Sequence, residues 1–157
     1  KVLISPISLN QNKLRNFEKS ISLIDTSKTR SADKILGDQK NNFKKNIDNL
    51  KKLNFLSKKF KKEINKKNFD IKKIGHIIDQ SWTVKKNFSK FITNNKINKL
   101  YKTLIKYGSH GGKLLGAGNG GFVLSLSSLS TITKIKKKMK KNKVLQIRID
   151  KSGSIFL

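Results

Sequence analysis

Seven of the chain's ten glycines fall between Gly108 and Gly121, in the stretch GSHGGKLLGAGNGG. Their type and spacing could do chemistry. Without side chains, main-chain N–H groups can approach something bulky or anionic, and consecutive N–H groups can form a cradle for an anion. The same residues also suit a tight helix-to-strand crossing with close packing, and residue type leaves both readings open. Two familiar phosphate patterns fail on context. Gly116-Ala117-Gly118-Asn119-Gly120-Gly121 satisfies G-x-G-x-x-G, but that fingerprint needs a strand before it and a helix after it. Here the periodicity predicts a helix before and a strand after. Gly108 to Lys113 approaches a Walker A loop with one residue too few, and Leu114 stands where Ser or Thr should hold magnesium. His110 lies beside the loop and could bond a phosphate, but no second histidine or acid neighbours it to make a metal or catalytic constellation, and His76 reads as a helix-surface or core residue.

The elements that must position this loop are legible as periodicities. Val2-Leu3-Ile4 and Ser20 to Asp25 read as strands, and Leu9 to Lys19 as a short helix. From Ser31 to Leu50 an apolar stripe at Ala32, Ile35, Leu36, Phe43, Ile47 and Leu50 predicts one long helix, capped by Thr29 or Ser31. A second apolar group follows at Leu53, Phe55, Leu56 and Phe60. After a turn near 66–70, Asp70 opens a helix carrying Ile74, Ile77, Ile78, Trp82 and Lys85 on one side, with Trp82 as core. Another helix runs from about Lys96 to Lys106, and Gly108 is placed for a left-handed cap. Beyond the glycines come a strand at Phe122 to Leu126, a helix at Leu129 to Lys141, a strand at Lys143 to Asp150 and a closing hairpin with Ser154 to Leu157. This order predicts one α+β domain over residues 1–157, an antiparallel sheet with helices packed on one face.

Composition narrows the function classes. The 157 residues contain no cysteine, which excludes a disulfide framework and thiolate chemistry. No apolar run is long enough to span a bilayer, and the N-terminus lacks the regions of a signal peptide, so the expected compartment is the cytoplasm. The chain begins at Lys1 inside an apparent strand, which suggests a piece of a longer reading frame. The net charge of +28 invites a nucleic-acid reading. Against it, only Arg15, Arg30 and Arg148 are arginines, and the lysines spread along the whole chain among Asn and Ile, as an A- and T-rich coding bias would place them.

The stretch GGKLLGAGNGGFVL resembles the third conserved motif of the GHMP kinases, the superfamily of galactokinase, homoserine kinase and mevalonate kinase. Asp79-Gln80-Ser81-Trp82 with Lys85 and Lys86, Ile97 to Tyr101, and TSKTRSADKILGDQ from Thr26 to Gln39 resemble its branch acting on heptose 7-phosphate. The resemblance covers essentially the whole chain. It implies the ferredoxin-like C-terminal domain of a two-domain, ATP- and Mg²⁺-dependent kinase acting on a sugar phosphate in carbohydrate metabolism. The family's proline- and serine-bearing phosphate loop and its metal or base carboxylate have no counterpart here. The nine acidic residues are scattered, none between Ser81 and Asn142. No catalytic residue and no metal ligand is therefore expected in this chain; both would come from an N-terminal half.

By the same resemblance Gly116, Ala117, Gly118, Asn119, Gly120 and Gly121 brace the nucleotide phosphate loop. Asn119 replaces the family's glycine, and asparagine is the next best residue should the position need positive φ. Arg30, between a strand and a helix, would grip the substrate phosphate with its planar fork. Thr26 would add a hydroxyl, while Ser27 stands where the family has glycine. Lys113 and Lys85 would also contact substrate or phosphate, Lys85 by extending past the core. A lysine-rich nucleic-acid-binding domain and a non-catalytic kinase remnant are the rival readings.

Overall fold

The computed structural model describes residues 7, 9–27, 33–150 and 152. The elements are α1 (Gln11–Lys19), β1 (Ile21–Asp25), α2 (Asp33–Asn41), a 3-10 turn (Lys44–Asn46), α3 (Ile47–Ile64), α4 (Ile71–Lys86), α5 (Asn95–Lys106), β2 (Gly111–Leu114), β3 (Phe122–Leu126), α6 (Leu129–Lys138) and β4 (Val144–Gln146). The strands form one antiparallel sheet in the order β2-β3-β1-β4. This is the α+β class that the sequence implied. The expected strand at Val2–Ile4, the Thr29 or Ser31 cap and the Ser154–Leu157 hairpin partner lie outside the described residues.

Four helices start where a short polar side chain can take up orphan amides. Asn10 accepts from the Lys13 N–H, Asp70 from those of Lys72 and Lys73, Asn94 from Ile97 and Ser128 from Thr131. Alternate strand residues feed two apolar clusters. Ile24, Val123 and Leu114 lie abreast across three strands and join Trp82, Ile92, Ile97, Leu104 and Ile135. Ile21 and Leu126, paired in register, join Phe17, Ile64 and Ile74. Helical residues thus supply both clusters. Each such side chain contributes roughly 1.5–3 kcal/mol by leaving water.

Two expectations need correction. The single helix from Ser31 to Leu50 is broken: α2 ends at Asn41, a turn and a 3-10 segment follow, and α3 begins afresh at Ile47. Asparagines explain the break, because their amides compete with the helix for carbonyls. Asn42 Nδ2 donates to the Asp38 carbonyl at 2.8 Å, and buried Asn46 donates to the Phe88 carbonyl at 3.1 Å. The apolar stripe through Phe43, Ile47 and Leu50 is accordingly exposed, Phe43 at 59%. Secondly, the glycine stretch is not loop throughout. Gly111–Leu114 is a strand at the edge of the described sheet.

Candidate functional site

The seven clustered glycines serve three different ends. Gly108, at φ +106, turns the chain out of α5. Gly111 and Gly112 permit close packing: a Cβ at Gly111 would run into the Gly75 carbonyl of α4, and one at Gly112 into the Leu124 carbonyl of β3. Only 116–121, the turn from β2 into β3, forms the open glycine loop. A strand does precede G-x-G-x-x-G, contrary to the sequence expectation. The pattern still fails as a dinucleotide fingerprint, because β3 rather than a helix follows it.

Within the loop Gly116, Gly118, Asn119 and Gly121 all have positive φ, at +71, +135, +58 and +88. Asn119 therefore adopts the left-handed conformation that asparagine tolerates best among side-chain-bearing residues. Its N–H donates to the Ile92 carbonyl at 2.7 Å, and its Oδ1 accepts from Asn94 Nδ2 at 2.5 Å. Gly118 lies so close to Ile92 that a Cβ would sit 2.7 Å from the Ile92 Cα. The loop is thus seated against the start of α5. Gly118 and Gly120 are buried, Gly116 is exposed and the other three are half-buried. The amides of Gly116, Ala117, Gly118, Gly120 and Gly121 donate to no described residue.

Two of the expected contact residues hold the loop. Thr26, just past β1, donates both its N–H (2.9 Å) and its hydroxyl (2.7 Å) to the Gly121 carbonyl. Its hydroxyl proton is committed to the main chain, leaving only lone pairs for another group. Lys85 Nζ reaches from α4 to the carbonyls of Gly116 (2.5 Å) and Leu114 (3.4 Å). Of these carbonyls, those of Gly116 and Gly121 are the two ends of the loop, and that of Leu114 ends β2. Ser27 also has a positive φ, +52, and donates its N–H to Asp25 Oδ1 at 2.9 Å. Lys113 lies in β2 rather than in the loop, opposite Leu124, and burial lowers its pKa. Arg30 lies outside the described residues.

Sequence reasoning missed three supports. Asn94 both caps α5 and grips Asn119; its cap signal, an Asn before an apolar-periodic run, was readable. Tyr101 donates its hydroxyl to Asp79 at 2.5 Å and accepts from the Gly112 N–H at 3.2 Å, tying α4, α5 and β2 together. Burial first, and the Asp79 carboxylate second, raise the Tyr101 pKa. Nothing in the spacing of these residues announces that contact. The third support is the Ile92 carbonyl, invisible to residue type. Beside Thr26 a depression of about 420 Å³ is lined by Ser27, Lys96, Lys99, Thr103 and Lys141. Among the described residues no group of three His, Asp or Glu could hold a metal, and no helix is long and apolar enough to cross a membrane.

A sheet of this topology matches a known class. Residues 56–145 match the family described as GHMP kinases C terminal, and the chain belongs to that family. Among curated proteins it is 27% identical over 130 residues to D-glycero-alpha-D-manno-heptose 7-phosphate kinase of Campylobacter jejuni, covering 78% of this chain and 36% of that protein. It is 25% identical over 133 residues to the bifunctional fucokinase/GDP-fucose pyrophosphorylase of Arabidopsis thaliana, covering 81% of this chain and 12% of that protein. The chain thus spans about a third or less of the curated relatives it matches. Among solved structures, mevalonate kinase of L. major in complex with R-mevalonate superposes with a TM-score of 0.66 at 18% identity, over 80% of this chain and 42% of the other. Mevalonate kinase of Methanococcus jannaschii gives 0.59 at 18% identity, over 88% and 42%. These two likenesses speak for the fold.

Proposed function

We propose that the chain is the C-terminal, substrate-side half of an ATP-dependent sugar-phosphate kinase. In the full-length enzyme it would help move the γ-phosphoryl of ATP onto a hydroxyl of a heptose 7-phosphate-like sugar. The observation that carries this reading is the glycine loop. Four of its six residues have positive φ, and five amides donate to no described residue. Such amides favour negative charge without adding a mobile side chain. Phosphoryl transfer depends mainly on positioning and charge neutralisation, and a rigid loop serves both.

In this reading the loop braces the phosphate-binding segment of an N-terminal half. That half supplies the catalytic base and the Mg²⁺ ligands; the metal, when bound, neutralises charge on the transferring group. Lys85 and Thr26 position the loop by its end carbonyls. The depression beside Thr26, with Lys96, Lys99 and Lys141 on its rim, takes the sugar phosphate. Arg30 closes on that phosphate with a bidentate fork, and Lys113 supplies further charge. In this reading the reaction runs in the cytoplasm.

The test joins this chain to the N-terminal half of a heptose 7-phosphate kinase and follows ATP-dependent phosphorylation. Turnover on heptose 7-phosphate, lost in Gly118→Val and with a raised KM for the sugar phosphate in Arg30→Met, is the expected result. Turnover on free fucose alone would reassign the acceptor. A folded fusion that turns over neither sugar would end the reading.

A further inference from the structure

Both histidines of the chain, His76 and His110, line one groove of about 600 Å³ between α3 and α4. The same groove carries five lysines. It is separate from the glycine loop. His110 immediately precedes β2 and the loop follows it, so the two sites lie at opposite ends of a four-residue strand, roughly 13 Å or more apart.

The acid in the groove wall is already engaged. Glu63 accepts from Lys66 Nζ at 2.5 Å through one oxygen and from the Asp70 N–H at 3.1 Å through the other. Neighbouring Asp70 uses its carboxylate on the Lys72 and Lys73 N–H groups. Among the described residues the ion pairs are Lys51–Asp48 and Lys66–Glu63. Lys59, Lys62, Lys72 and Lys73 therefore line the groove with no carboxylate at ion-pair distance among the described residues, although Lys73 feels the Glu63 charge and Lys59 lies over the Phe55 ring. His110 registers this field: burial first, then the Lys72 charge, lower its pKa, with Asp70 opposing. A neutral imidazole there keeps one N–H to donate.

We infer that the α3/α4 groove is a second anion site, taking a multiply charged phosphate compound independently of the glycine loop. Its volume is that of a small-molecule site, about 300–1,000 Å³. Lysines act as point charges without a preferred plane, so the groove selects for charge number rather than for one headgroup shape. A monophosphate would engage two or three of the cations and leave the rest repelling one another; a chain of phosphates engages them together.

The test is a histidine-ring NMR titration of this chain with inorganic tripolyphosphate at about 0.1 M salt. With two histidines in the molecule, both in the groove, every ring signal reports on it. Both rings should shift along one saturable curve, and the His110 pKa should rise. The double substitution Lys62→Gln/Lys72→Gln should weaken binding roughly tenfold. Lys102→Gln/Lys106→Gln, on the exposed side of α5, removes the same charge and should change it by less than about twofold. Lys73→Gln alone, with a loss of roughly threefold, repeats the test should the double variant not fold. Equal weakening in the groove and α5 variants would overturn the proposal in favour of the diffuse field of the whole protein. So would ring shifts that never saturate, or amides of Gly116–Gly121 that titrate before the rings.

Discussion

Asn119 shows how one side chain can satisfy conformation and contact together. A residue with a Cβ costs about 1–2 kcal/mol in the left-handed region, and asparagine is the least penalised. Asn119→Ala keeps the penalty and loses the Asn94 hydrogen bond, so we expect it to destabilise the chain by about 1–2 kcal/mol in urea unfolding. Asn119→Gly loses the bond but adopts φ +58 freely, and should cost less. His110 gives a pH signature. Its folded pKa lies below the ordinary 6.5, so as pH falls through about 6.5 the unfolded chain takes up a proton that the native chain does not. Stability contributed by this group is full above that pH and declines below it. Urea midpoints measured between about pH 7.5 and pH 5 should fall, and His110→Asn should flatten that slope.

At the scale of elements, two helical glycines make opposite predictions. Gly75 in α4 faces His110: an added Cβ would lie 2.7 Å from its Cβ and 2.9 Å from its carbonyl carbon. Alanine gains up to about 1 kcal/mol of helix propensity, but α4 would have to leave β2. Gly75→Ala should therefore be net destabilising by about 2 kcal/mol. Gly37 in α2 has nothing among the described residues within 4 Å, so Gly37→Ala should stabilise by about 0.5–1 kcal/mol. Thermal melts of the two variants should move in opposite directions. The same contrast explains what could be read from sequence. α4 and α5 were legible because Ile74 and Trp82, and Ile97 and Leu104, repeat at helical spacing. β2 was not, since Gly111-Gly112-Lys113-Leu114 has neither alternation nor β-branched residues, and its strand form depends on the Gly75 and Leu124 carbonyls lying where a Cβ would sit. Phe43, Ile47 and Leu50 kept the helical period across Asn42 and Asn46, whose side-chain hydrogen bonds to distant or preceding carbonyls no periodicity reports. In the site, the loop could be located from its glycines and Asn119's φ anticipated. The turning of Thr26 and Lys85 onto loop carbonyls, and of Tyr101 onto Asp79, required the fold.

Over the whole molecule, a net charge of +28 and two ion pairs among the described residues set the balance of charge. Self-repulsion opposes the compact state and is screened over about 10 Å at 0.1 M salt. Raising sodium chloride from about 0.01 to about 0.5 M should therefore raise the melting temperature. A falling melting temperature would mean that attractive pairs dominate. The glycine loop has a further consequence. Its holds come from residues 95, 31 and 25 positions away: Thr26 on Gly121, Lys85 on Gly116 and Asn94 on Asn119. Contacts so distant along the chain hold only once the entropy of closing long loops has been overcome. A half-folded or newly made chain would carry its glycines as slack, with none of the three holds in place. The loop's left-handed conformation would then be fixed only once those distant segments are in place, a built-in check that the rest of the chain has assembled.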